Sequence, residues 1–357
     1  MNSNSDNFRS DYYNDNFTGD DTMSSHGESQ TATIATPEHR RDISRYERSP
    51  YREPPRPKKK KRILLKLFFF ILALIIAVMV VFLGVAWLKT LSIPVKTNFL
   101  IMATDEAGTR TDTLMLGTFD KKTKGISLIS IPRDTYVTVD DDSYNLMREE
   151  YPGPSGKSMK INAVHHFAGA DHGVDMVCKE VERLLNTNID FYVKVDFDAF
   201  RYIIDSVGGI EFDVPQDMHY SDPYQNLYID LKAGLQLLDG EKSEHLLRYR
   251  SGYATADIGR IGVQQDFMKA FISQTLSKGT IISNPGVYLD AIFKYDFVET
   301  NAGASDIASY ALLAGGIDTE NVQTMTLPGG PAMRGGQSVY LPDMSKIDNE
   351  VSEIIGD

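Results

Sequence analysis

The chain has 357 residues and a formal net charge of −12, with 49 Asp and Glu against 37 Lys and Arg. That acidic balance excludes a general nucleic-acid binder, which needs a basic face to displace the counterions of a polyphosphate. One cysteine, Cys178, excludes an intramolecular disulfide, so a folded part must rely on its own core.

Residues 1–62 are rich in Ser, Asn, Asp, Arg and Pro and poor in aliphatic side chains. Such a segment cannot bury enough apolar surface to offset its chain entropy, which predicts a disordered tail. Leu67 to Leu88 follows with no charged residue. About 20 apolar residues in a helix cross a hydrocarbon core of ~30 Å, so residues 63–88 are predicted to be one transmembrane helix. Trp87 stands where an indole suits the interface. Arg56, Lys58, Lys59, Lys60, Lys61, Arg62 and Lys66 flank its near end, whereas the far end has only Lys89 and Lys96. The positive-inside rule therefore puts the tail in the cytoplasm and the rest of the chain outside, after a linker at 89–96. A cleaved signal peptide fits poorly, because the run is long, follows a long tail and precedes no small-x-small site. Up to Leu88 the chain has 13 basic and 10 acidic residues; beyond it, 24 basic and 39 acidic.

Residues 97–357 alternate two periodicities. Short runs rich in Val, Ile, Phe and Tyr predict strands at Phe99–Ala103, Thr113–Phe119, Ile126–Ile131, Phe191–Asp196, Ile210–Val214 and Val322–Leu327. Helical spacing predicts helices at Asp175–Leu185, Phe197–Ser206, Glu241–Leu246, Ile258–Ser277 and Asp306–Leu313. The alternation predicts an α/β fold, or α+β, with helices layered on a sheet that is at least partly parallel. Asp140–Lys157 and Met218–Gln225 read as surface loops. Cys178 falls in a helical pattern and reads as a small core residue.

Charged residues gather in three places. The first, Thr104 to Thr113, leaves a strand carrying Asp105, Arg110 and Asp112. It reads either as a polar loop whose carboxylates bond turn amides or as a seat for a hard divalent ion. In extended backbone Arg110 and Asp112 point the same way. The second, Ser130-Ile131-Pro132-Arg133-Asp134, ends a strand, where α/β proteins bind ligands. Arg133 there is an anion binder or a salt-bridge partner of a nearby Asp, and Asp134 suits a turn cap. The third is Leu247-Arg248-Tyr249-Arg250 followed by Asp257, Arg260 and Gln264. Residues two apart share a side only in extended chain, so joint action of Arg248 and Arg250 predicts an extended stretch. A helix starting near Asp257 would offer free amides and Arg260 to a pyrophosphate; otherwise Asp257 is only its N-cap. His165-His166 has no further ligand at zinc spacing.

Taken in series, NFLIMATDEAGTRTDTLMLGTFD, ISLISIPRDTYV, KINAVHHFAG, FDAFRYIIDSVGGIEFDVP, LKAGLQLLDGEKSEHLLRYRS and DIGRIGVQQDFM resemble the LytR–CpsA–Psr family of bacterial cell-envelope proteins. The resemblance covers about residues 97–357, and the tail with one membrane helix fits it. It implies a helix–sheet–helix sandwich around a long apolar pocket for a polyprenyl chain. It also implies transfer of a glycopolymer (teichoic acid, capsule or another wall polysaccharide) from a polyprenyl pyrophosphate carrier to peptidoglycan at the bacterial cell membrane. By position, Asp105 and Asp112 correspond to the aspartates associated with Mg²⁺, for which Mn²⁺ can substitute. Arg110, Arg133, Arg248, Arg250 and Arg260 correspond to arginines around the pyrophosphate, and Asp257 and Gln264 fall on the same pattern. Asp134 joins Asp112 as a candidate base. Two other readings use the same residues: a carrier-lipid binder or wall regulator without turnover, and a pyrophosphatase that delivers water in place of a sugar hydroxyl.

Overall fold

The computed structural model describes residues 60–104, 110–150, 153–225, 227–250, 252, 257–276, 298–314 and 316–355. Most of the tail predicted at 1–62, and Asp105, lie outside them.

Helix α1 runs from Lys60–Ser92. Side chains from Leu64 to Val85 are exposed on every side, and the helix is long and apolar enough to cross a membrane. It continues past Leu88 to Ser92, so half of the predicted linker is helical. The elements after it are β1 (Lys96–Thr104), β2 (Thr111–Asp120), β3 (Ile126–Ser130), β4 (Tyr136–Thr138), α2 (Asp141–Glu150), β5 (Ser158–Lys160), α3 (Ile161–Leu185), β6 (Phe191–Val195) and α4 (Phe197–Ser206). Then come β7 (Ile210–Val214), β8 (Met218–Asp222), β9 (Leu227–Leu231), β10 (Gly234–Leu238), α5 (Gly240–Arg248), α6 (Asp257–Thr275), β11 (Val298–Thr300), α7 (Ala304–Ala314), β12 (Val322–Thr326), β13 (Gly329–Arg334) and β14 (Gln337–Pro342). Helical turns over Met344–Lys346, Ile347–Val351 and Ser352–Ile355 close the chain.

The central sheet has the order β11-β6-β1-β2-β3-β12. β1 pairs parallel with β6 and β3 parallel with β12, while the remaining neighbours are antiparallel. The period of two sorts β1 between two layers. Leu100 and Met102 join Val164, Val177 and Val181 of α3 in one core. Phe99 and Ile101 turn to the other face, where Met268 and Ile272 of α6 and Tyr310 of α7 cover the sheet. This mixed sheet between helices is the predicted layered α/β architecture. A second core lies under α4, α5 and α6 and is closed by the antiparallel pair β7–β10 and the hairpin β8–β9 that it encloses in sequence.

Two predicted loops are regular structure. Within 140–157, residues Asp141–Glu150 form α2. Asp140 caps it by accepting from the Ser143 amide at 2.8 Å, and Ser143 and Met147, one turn apart, face inward. The Pro and Gly residues that signalled a loop all follow the helix. Within 218–225, Met218–Asp222 is a strand paired with β9, so the turn chemistry at its tip was read too broadly.

Lys179, 2.8 Å away, and Ser143 hold the Asp140 carboxyl well below the usual carboxylate range. A depressed folded pKa contributes stability that is present above the unfolded value of about 3.9 and is lost as pH falls. Asp140→Asn is therefore expected to flatten the fall in melting temperature below about pH 4. An unchanged slope in an acid thermal series would remove Asp140 from that account. Cys178 packs half-buried on the α3 core, and burial, then Glu182 and Asp175, push its thiol up to about 12.

Candidate anion-binding site

The C-terminal ends of β1, β3, β6 and β12 and the start of β2 share one edge of the sheet. A cavity of about 180 Å³ opens there. Its lining combines three arginines, Arg248, Arg250 and Arg260, three carboxylates, Asp112, Asp196 and Glu244, and Gln264 with the aromatic and aliphatic Phe197, Phe200, Tyr220, Leu227 and Leu247. A smaller cleft beside it shares Asp112, Arg260 and Gln264 and adds Arg133.

The ladder explains how Asp112 and Arg133 meet. Met115 pairs with Ser130 in the antiparallel register, so three steps outward on each strand bring the two together. Arg133 Nη1 donates to Asp112 Oδ1 at 2.7 Å, with both side chains part-exposed. The salt-bridge reading of Arg133 is therefore what the structure shows, and the same side chain borders the cleft.

Arg260 stands in the first turn of α6 and is 5% exposed. Gln264, one turn on, donates to Thr113 Oγ1 at 3.3 Å and to the Leu247 carbonyl at 3.4 Å, tying α6 to β2 and to the end of α5. Gln265 donates to Ser130 Oγ, the Met325 carbonyl and Thr326 Oγ1, which pins α6 across the ends of β3 and β12.

The extended stretch expected at Arg248–Arg250 is corrected. α5 includes Arg248, and only at Tyr249 does the chain become extended, with φ −65° and ψ 132°. The helix ends between the two arginines, and that break lets both line one cavity. Arg248 Nη1 donates to Glu244 Oε1 at 2.7 Å, and its guanidinium lies 4.7 Å from the Phe197 ring centroid. The other Glu244 oxygen accepts from Arg201 Nη1 at 2.7 Å. Glu244 is 4% exposed and sits between two guanidinium groups. Gly240 allows this: a Cβ there would lie 2.5 Å from the Arg201 carbonyl oxygen, so only glycine admits α5 so close to α4.

Glu244, Phe197 and Gln265 were not singled out in the sequence. The spacing of Glu244, four residues before Arg248, was the available signal for the first. Asp134 pairs with Lys160 Nζ at 3.0 Å and lines neither cavity. Arg110 is exposed at the bend entering β2 and lines neither cavity as well. α6 begins at Asp257, whose side chain lies outside the described residues. Among the described residues no group of three His, Cys, Asp or Glu is placed to share a metal ion. His165 is buried in α3, packed against Gly173. The result is a cavity that brings guanidinium groups and apolar side chains together, an arrangement suited to an amphiphile with a phosphate head.

The LytR_cpsA_psr family model matches residues 90–354. The polyisoprenyl-teichoic acid–peptidoglycan teichoic acid transferase TagV of Bacillus subtilis (strain 168) is 31% identical over 242 residues, which is 67% of this chain and 57% of TagV. Its namesake TagU of Bacillus mycoides (strain KBAB4) is 30% identical over 256 residues, 70% of this chain and 75% of TagU. The crystal structure of B. subtilis TagV superposes with a TM-score of 0.58 at 27% identity, covering 73% of this chain and 97% of that one. The family model spans nearly all of the described chain beyond the apolar helix and the fold agrees with it, so this chain belongs to the LytR_cpsA_psr family.

Proposed function

We propose that this protein is a membrane-anchored transferase that moves a glycopolymer, wall teichoic acid in the first instance, from a polyprenyl pyrophosphate carrier to peptidoglycan. The observation that carries the reading is the mixed lining of the cavity, with three arginines alongside Phe197, Phe200, Tyr220, Leu227 and Leu247. Its chemistry matches a carrier that is half pyrophosphate and half hydrocarbon. The named activity of the TagV and TagU relatives supports the same class. α1 would hold the domain at the membrane that contains the carrier, with the basic residues before Lys66 on the cytoplasmic side.

In the proposed reaction an acceptor hydroxyl oxygen attacks the phosphorus that bears the glycan. The bond from that phosphorus to the bridging oxygen breaks, polyprenyl phosphate leaves, and the hydroxyl proton departs. Such transfers require positioning and charge neutralisation more than covalent chemistry. Arg248, Arg250 and Arg260 supply positive charge around the cavity, and Arg133, held by Asp112, supplies it at the adjoining cleft. Phe197 and Phe200 keep water from the apolar part of the cavity. The family resemblance would add a Mg²⁺ ion, which takes one or two carboxylates and fills its remaining positions from water and phosphate oxygens. Asp112, which borders both cavities, would hold it, with Asp105 as the second carboxylate. When bound, the ion would neutralise charge on the departing phosphate.

The test uses the full chain in detergent or nanodiscs with Mg²⁺, a synthetic polyprenyl-pyrophosphate oligosaccharide and peptidoglycan fragments. Mass spectrometry is expected to find a phosphodiester-linked product, reduced at least about 100-fold in Arg133→Ala. Free glycan phosphate without acceptor would point to a pyrophosphatase. Tight carrier binding without turnover would leave a lipid binder.

A further inference from the structure

We propose that one face of the outer domain, made by the β2–β3 turn and the exposed side of α7, sits in the headgroup layer of the bilayer and binds anionic lipid phosphates there. The proposal rests on the reading of α1 as a membrane span.

Leu67 to Leu88 covers ~31 Å at 1.5 Å per residue, so the hydrocarbon ends near Leu88. The β2–β3 turn is fastened just beyond that level. Lys121 Nζ donates to the Thr90 carbonyl at 2.7 Å and to the Ile93 carbonyl at 3.2 Å, capping the end of α1. Thr90 is two residues past Leu88, about 3 Å of rise, which places the Lys121 ammonium within roughly 6 Å of the hydrocarbon edge. The headgroup layer is about that thick on each side.

The turn is built to stay there. Asp120 accepts from the amides of Lys122 and Thr123 at 2.7 and 3.2 Å, fixing its shape. Lys122 and Lys124 are exposed. Lys124 adopts φ 58°, the left-handed conformation that closes this turn. The region beyond Leu88 is strongly acidic, so a run of three lysines in one turn at this level stands out from its surroundings.

α7 reaches the same level from the other side. Lys89 pairs with Asp306 at 2.5 Å and donates to Ser305 Oγ at 3.0 Å. Four residues along α7, Ser309 Oγ donates to the Ala86 carbonyl at 3.0 Å, and Ala86 and Ser309 are both fully buried. Going from Ser305 to Ser309, α7 therefore descends alongside α1 from Lys89 to Ala86. Its next turn carries Ala311 and Leu312 outward, Leu312 at 49% exposure. An apolar turn just below the level of a basic loop matches the boundary between acyl chains and phosphates.

The test uses the full chain in nanodiscs containing a lipid with a nitroxide on its headgroup. Fluorophores are attached at Thr123→Cys, at Leu312→Cys and, as a reference on the anchor, at Leu88→Cys. Cys178 reacts slowly because its thiol is pushed up to about 12. All three labels are expected to be quenched. Quenching at Leu88 with none at Thr123 and Leu312 overturns the proposal, since the domain then stands clear of the lipid or turns another face to it. No quenching at Leu88 overturns the membrane span itself, and the proposal with it. Charge is tested by Lys122→Glu combined with Lys124→Glu. The gain in Thr123 quenching on changing from phosphatidylcholine to phosphatidylglycerol discs is expected to fall at least about twofold. An unchanged gain removes the phosphate contact.

Discussion

Replacing Glu244 by Ala is expected to lower stability by about 3 kcal/mol and to cut transfer by an order of magnitude in the protein that remains folded. The carboxylate is buried, and each oxygen accepts from a different guanidinium. Its removal leaves Arg201 and Arg248 facing each other across a space with no counter-charge. The cost is held near the low end of the range for a broken buried pair because Arg201 is 40% exposed and keeps Asp198 as a partner. Arg248 loses more, since Glu244 and the Phe197 ring fix its plane from two directions. The pocket also becomes more positive without Glu244, so carrier affinity should hold or rise. A fall in kcat with KM unchanged or lower is the expected signature. A rise in KM alone would mean that Glu244 supports carrier binding and does not orient Arg248. Glu244→Gln keeps the volume and should lose less stability with the same kinetic pattern.

Phe267→Ala is expected to cost about 3–5 kcal/mol and to lower the melting temperature by roughly 10 °C or more. Phe267 is fully buried, with its ring 6.0 Å from that of Phe200 and 5.7 Å from that of Phe212. It is the point where α6 meets the core under α4 and the hairpins. Phe200 lines the cavity, so the loss should loosen that lining as well. Calorimetry of the folded protein checks the first effect. A shift of less than about 3 °C would mean that Phe200 and Phe212 collapse into the space.

The six predicted strands fall on β1, β2, β3, β6, β7 and β12, because each is a short apolar run flanked by polar turns. α2 was missed for the opposite reason. Its sequence, DDSYNLMREE, buries only Ser143 and Met147, and so few apolar residues leave no periodicity to read. The arginines of the cavity were legible because they are dense in sequence near a helix start. Their grouping was partly legible, since the break in α5 at Tyr249 depends on where the helix ends, the least certain feature of any helix pattern. The partnership of Glu244 with Arg201 was out of reach. It joins residues 43 apart through the contact of α4 with α5, and that contact depends on Gly240. Arg110 and Asp134 show the limit from the other side, as both neighbour strand ends while their side chains lie away from the cavity.

β1 begins at Lys96, four residues after α1 ends, and reaches the cavity at Ala103. Eight steps of ~3.3 Å set about 26 Å between the ends of this strand. Removing one residue from it would send Leu100 and Met102 into the layer that now holds Phe99 and Ile101, and both cores would fail. Removing two would restore the parity of every side chain and shorten the strand by ~7 Å. The reach from α1 to the cavity is therefore quantised: short of a bulge such as the one at Ala103 and Thr104, the length of this strand changes in pairs of residues.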